Sequence, residues 1–103
     1  MKPVRVDPEA RDEIRDAARW YEARRAGLGT DLISAVDVAI GRASILGPEC
    51  RPAPQLPVDL GVRRVLCERF PYVVFFVELP AVVRVIAVGH ERRRPGYFLP
   101  RVR

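Results

Sequence analysis

The sequence predicts an α+β fold: an antiparallel helix hairpin packed on a small antiparallel sheet, in the order β-α-α-β-β-β. Three observations carry that prediction. Two apolar stripes at helical spacing fill the first half of the chain. Three short runs rich in β-branched residues follow one another closely in the second half. The link between the two helical stripes is too short for anything but a reversal. At 103 residues the chain reads as a single domain over 1–103, long enough to bury roughly two-thirds of its unfolded surface in one core.

Val4-Arg5-Val6 is a short strand, with Pro3 tolerable near its start or on an edge. Asp7-Pro8-Glu9 starts a helix: an N-cap acid, a proline at the first helical position and an acid in the first turn. That helix runs to about Ala26 on a stripe of Ala10, Ile14, Ala17, Ala18 and Tyr21, with Gly27 as its C-cap. Acid-first pairs such as Asp12–Arg15 and Asp16–Arg19 lie outside. Trp20 falls at the border of the stripe and reads as packing between helix and sheet, with a docking platform for a partner chain as the alternative. After Gly27-Leu28-Gly29, Thr30 caps a second helix on Leu32, Val36, Ala39, Ile40, Ala43 and Leu46, stopped by Gly47-Pro48.

Residues 48–61 hold four prolines and read as an irregular, semi-extended surface connector. Val62–Phe70 is a strand mixing apolar and basic positions. Tyr72–Leu79 and Val82–His90 follow through tight turns, so the three form an antiparallel meander. Phe70, Phe75 and Phe76 read as core. Tyr72–Leu79 is apolar on both parities, whereas the helices cover one face of the sheet. The second face is therefore expected to be covered by another chain.

The last strand delivers the chemistry. Gly89 ends its apolar run, and His90, Glu91, Arg92, Arg93, Arg94, Pro95, Gly96 and Tyr97 follow at once. His90, the chain's one histidine, is the natural acid/base candidate; the plainer alternative is a strand-end imidazole bonded to backbone. Arg92, Arg93 and Arg94 suit phosphates or an acidic partner, or a solvated charge run. Arg63 and Arg64 point to opposite faces of their strand, so one reaches the basic edge. Arg84 sits mid-strand in an apolar run and needs a partner, either Glu78 across the hairpin or a cleft. Arg63, Arg64, Arg84, Arg92, Arg93 and Arg94 are the target-binding candidates.

The net charge is +5, and it is unevenly placed. The first fifty residues are close to neutral, with eight basic and nine acidic side chains; the remainder holds ten basic and four acidic. The second half thus carries a positive field suited to nucleic acid or an acidic protein. Cys50 and Cys67 form no CxxC motif and have no nearby histidine, so neither a metal site nor any other cofactor is expected. With no signal peptide and no apolar run of about 20 residues, the expectation is a cytoplasmic protein with free thiols and no membrane contact.

Taken in order, several pieces resemble the RelE/ParE superfamily of toxins from bacterial type II toxin–antitoxin systems. They are Pro8-Glu9-Ala10 with Glu13-Ile14, Ala18-Arg19-Trp20-Tyr21-Glu22, Leu28-Gly29, Ile45 to Pro48, Val62-Arg63-Arg64, Phe70-Pro71-Tyr72, and Ala87-Val88-Gly89-His90 running into Arg92-Arg93-Arg94-Pro95-Gly96-Tyr97. The resemblance implies a small basic toxin that arrests growth when free. It also implies neutralisation by a cognate antitoxin, encoded next door, whose C-terminal segment folds onto it, in a toxin–antitoxin hetero-oligomer. Its ParE-like branch inhibits DNA gyrase and is no nuclease. Its RelE-like branch cuts mRNA on the ribosome with basic residues and often a C-terminal tyrosine. On that branch Arg64, His90, Arg93 and Tyr97 are the catalytic candidates, Tyr97 standing at the family spacing from Gly89. Two positions depart from the nuclease pattern: Val73 and Glu91 stand where that branch often has arginines. The departures place the ParE-like reading ahead, with an inactive, toxin-derived basic binding domain as a third.

Overall fold

A computed structural model describes residues 1–102. Strand β1 (Val4–Val6) leads into helices α1 (Pro8–Arg24) and α2 (Leu28–Ser44), followed by strands β2 (Arg51–Pro52), β3 (Val62–Leu66), β4 (Tyr72–Glu78) and β5 (Val83–His90). Two 3-10 segments, Val58–Leu60 and Pro95–Arg101, complete the described chain. The sheet order is β1-β5-β4-β3-β2. The expected α+β layers are present, and the helix pair carries the chain across the sheet from one edge to the other. The meander β3–β4–β5 is antiparallel. Two details enlarge it: β1 joins β5 in parallel, Val4 opposite Val83 and Val6 opposite Val85, and the proline-rich connector supplies β2 against β3.

The helix link is built differently from the pattern in the sequence. Helix α1 stops at Arg24 and α2 begins at Leu28, so Thr30 lies inside α2. Gly27 takes the N-cap of α2 at φ 93°, a left-handed geometry that glycine adopts without Cβ strain. The capping oxygens come from α1 instead. The Glu22 carboxylate accepts the Gly27 and Gly29 N–H groups, each at 2.9 Å, meeting the positive end of α2. Those two backbone bonds hold the Glu22 pKa below its ordinary value. Gly29 also permits close packing of the hairpin: a Cβ there would lie 2.7 Å from the Ala18 carbonyl oxygen.

Two apolar layers flank the sheet. Between helices and sheet, Leu32, Val36, Val74, Phe76 and Val85 are fully buried. On the opposite face Val73, Phe75, Val77, Ile86 and Ala87 are buried under Phe98, Ala53, Leu56 and Leu60. The expectation that a second chain must cover this face is overturned. The tail turns back after Pro95-Gly96, and Phe98 seats its ring 4.7 Å from that of Phe75, with no exposed surface. A β-bulge assists. Phe75 faces Ala87 while Phe76 faces Val85, leaving Ile86 as the extra residue, and Ile86 and Ala87 both join the second layer.

Trp20 is the second correction. It is 51% exposed rather than packed between the layers, and the Arg24 guanidinium lies 3.3 Å above its ring. Tyr21 takes the inward direction against Phe70 and Tyr72, and the neighbouring residue is turned about 100° away from it by the helix period. Cys50 and Cys67 are buried free thiols. Among the described residues, no group of three or more His, Cys, Asp or Glu is placed to hold a metal ion, and no helix is long and apolar enough to cross a membrane.

Candidate functional site

Past Val6, β5 has no strand on its outer side. Two side chains take the place of that strand. The Glu13 carboxylate accepts the Val88 N–H at 3.0 Å, and Arg101 donates to the Ile86 carbonyl at 3.2 Å. The two close on each other at 3.0 and 3.2 Å in a bidentate pair. This clasp fixes the C-terminal segment against α1 and so sets where Tyr97 lies. Tyr97 reaches across to Gly89, whose Cα lies against the phenol oxygen so closely that no Cβ would fit. The phenol oxygen is buried, near the Glu13 carboxylate, and forms no well-aligned hydrogen bond among the described residues. Burial, and then the nearby Glu13 charge, push its pKa up to about 12.

Above Tyr97 lies Arg93, its guanidinium 3.6 Å from the ring centroid. Arg93 is the ridge between two grooves. On one side Arg64, Arg92, Arg93 and Arg94 surround a groove of about 570 Å3, floored by Leu66, Val73 and Phe75, with Glu91 at its rim. Arg64 has a buried Nε with no partner, and none of the four arginines makes an ion pair among the described residues. On the other side a pocket of about 450 Å3 is walled by Trp20, Tyr21, Tyr72 and His90, with Glu13 and Asp16. His90 packs edge-on to Tyr72 at 5.6 Å. Its Nδ1 accepts the Arg92 N–H at 3.1 Å, which puts the neutral ring's proton on Nε2.

The structure therefore gathers Arg64, Arg92, Arg93 and Arg94 around one groove, and of the four Arg93 also borders the pocket that holds His90. His90 lines the neighbouring pocket, and the Tyr97 hydroxyl is turned inward beneath Arg93. A proton donor or acceptor for catalysis must stand within hydrogen-bond reach of the reacting atom, and among the described residues the group of that kind lining the arginine groove is the Glu91 carboxylate at its rim.

Comparison with solved structures finds this fold in a chain of the "Chromosomal ParDE TA system from P. aeruginosa". The TM-score is 0.72 over 87% of this chain and 96% of that one, at 13% sequence identity. No family model matches the chain, and no curated protein matches it. At that identity the likeness is one of fold.

The remaining arginines stand apart. Arg63 is exposed on β3 in register with Pro52. Arg84 pairs not with Glu78 but with Asp7, its Nε donating to both carboxylate oxygens at 3.0 and 2.9 Å and its Nη2 to the Arg101 carbonyl at 2.9 Å. The parallel β1–β5 pairing brings Asp7 there, and Glu78 is taken by Lys2 at 2.8 Å. The hydrogen bonds that Arg84 donates to Asp7 raise its pKa above the ordinary value. Glu13 and Arg101 escaped the sequence reading. Glu13 lies one turn from both Ala10 and Ala17, beside the buried stripe, and that placement was the available signal. A further groove, about 560 Å3, opens along the helix hairpin. Its floor is Ile14, Ala18, Ile33 and Ile40, and Arg11, Arg15 and Arg19 stand along it on successive turns of α1.

Proposed function

We propose that this chain is the toxin of a type II toxin–antitoxin system, of the ParE-like kind, acting by binding a protein target such as DNA gyrase rather than by cutting RNA. The fold likeness to a chain of a ParDE system supports the class. The observation that carries the mode of action is the arrangement just described: four arginines without an ion pair among the described residues share a groove that neither the His90 ring nor the buried Tyr97 hydroxyl lines, Arg93 being the one that also borders the His90 pocket. Arginines can hold and orient a partner, whereas strand cleavage also needs a base for the 2′-hydroxyl and an acid for the leaving oxygen.

The antitoxin's place in this reading is the groove along the helix hairpin. Its apolar floor includes Ile33, 42% exposed, and the arginine row on α1 lies alongside. An amphipathic segment with an acidic flank satisfies both. Expression of the chain alone is expected to arrest growth, and co-expression of the adjacent reading frame to restore it. Purified protein is expected to inhibit gyrase supercoiling and to leave mRNA intact in a translating extract. Tyr97→Phe and His90→Ala are expected to keep full toxicity. Codon-specific mRNA cuts lost in both variants would instead establish the ribosome-dependent nuclease, and absence of arrest would leave only an inactive binding domain.

A further inference from the structure

We infer that the arginine groove is a docking site for an extended acidic protein segment carrying an apolar side chain, and is not a nucleic-acid track. The identification with a target rests on the toxin reading above, whereas the chemistry rests on the groove. The charges come first. Among the described residues, Arg64, Arg92, Arg93 and Arg94 converge on one cavity without a carboxylate partner of their own. Their combined charge suits an anionic ligand.

The floor decides which anion. Leu66 opens into the groove 48% exposed, between Arg64 and Val73. A polyphosphate backbone has nothing to place on it. Single-stranded RNA binds through bases stacked on exposed aromatic faces, and the aromatics in and beneath this groove are spent: Phe75 and Phe98 are buried in the second layer, and the Tyr97 ring is covered by Arg93. An extended segment with a leucine or valine flanked by carboxylates two residues away on either side matches both features, because side chains two apart on such a segment point the same way. Its carboxylates meet the arginines in bidentate geometry and its apolar residue covers Leu66. Glu91 at the rim disfavours a continuous row of phosphates, and a mixed-charge segment tolerates it.

The test uses the full chain and two fluorescent probes of equal length, a peptide of repeating Glu-Ser-Leu-Ser units, which puts glutamate and leucine on one face when extended, and a single-stranded oligoadenylate, read by anisotropy at low and physiological salt. The peptide is expected to bind at least tenfold more tightly than the RNA at physiological salt. Arg64→Gln with Arg94→Gln should weaken it by about tenfold or more, and Leu66→Ser by several-fold, with unchanged circular dichroism and melting. A glutamate-only peptide should bind as weakly as the wild-type peptide does to Leu66→Ser. Preference for RNA, indifference to Leu66→Ser, or no peptide binding would each overturn the inference. Growth arrest, scored separately, distinguishes the two readings. Arrest without peptide binding removes this inference and leaves the toxin reading standing, whereas peptide binding without arrest does the reverse.

Discussion

Truncation of Phe98 to alanine should cost this protein a large fraction of its stability. Phe98 has no exposed surface, and it is the central lid over Phe75, Ile86 and Ala87. Complete burial of an aromatic side chain is worth roughly 1.5–3 kcal/mol in transfer alone. The cavity left between the tail and β4 adds to that, for a total of about 3–5 kcal/mol. Domains of this size hold about 5–15 kcal/mol in all, and each kcal/mol moves the midpoint by roughly 4–8 °C. Thermal melts should therefore fall by at least about 12 °C, and urea titrations should show the same ΔΔG with a reduced midpoint. Val58→Ala is the control: that residue is 89% exposed and should stay within about 0.5 kcal/mol of the parent. A loss below about 1 kcal/mol for Phe98→Ala would mean that the tail is not part of the core. The face beneath it would then need another chain after all.

Three further outcomes follow from the packing. Glu13→Gln keeps an acceptor for the Val88 N–H but removes the charge facing Arg101, whose side chain is 20% exposed. It should cost roughly 1–3 kcal/mol, and a double-mutant cycle with Arg101→Met should return a coupling above about 1 kcal/mol. Gly29→Ala should destabilise by about 1–3 kcal/mol through the clash with the Ala18 carbonyl, against a helix propensity that favours alanine by about 1 kcal/mol; a stabilised variant would show that the hairpin can spread. Glu22 has a folded pKa below its ordinary value of 4.5, so its contribution is present above the unfolded pKa and is lost as pH falls through the folded one. Glu22→Gln should accordingly be less stable than the parent at neutral pH, and the gap measured by denaturation should close in strong acid; a gap independent of pH would assign the effect to shape.

Periodicity made most of the fold legible. Ala10, Ala17, Leu32, Val36 and Ala39 carry the helical spacing, and all are buried where that spacing puts them. The apolar run of β4 likewise announced a strand buried on both faces. What closes the second face was not legible, because Tyr97-Phe98 follows a proline-glycine turn inside a basic stretch, and local pattern does not say whether such a tail folds back. The bulge at Ile86 hid in the same way, since two adjacent apolar residues sharing a layer break the alternation that marks a strand. At the candidate site the arginine cluster could be read from Arg92-Arg93-Arg94 and Arg64. Its division from His90 could not, because it depends on Tyr97 tucking under Arg93. Asp7 looked like a helix cap; its use by Arg84, 77 positions away, arises from the parallel pairing of β1 with β5.

The clasp of Glu13 and Arg101 has a consequence for how these molecules meet one another. An uncovered strand edge is a template on which copies of a protein add to form filaments. Here the β5 edge is stoppered by two charged side chains already bonded to its open N–H and carbonyl groups. At the far edge of the sheet, β2 is two residues long and ends on a proline. Neither margin offers an inviting run for edge-on growth. A chain that carries an open, apolar-floored groove along its helix hairpin is thus protected from aggregation along the sheet, and the groove itself is left open.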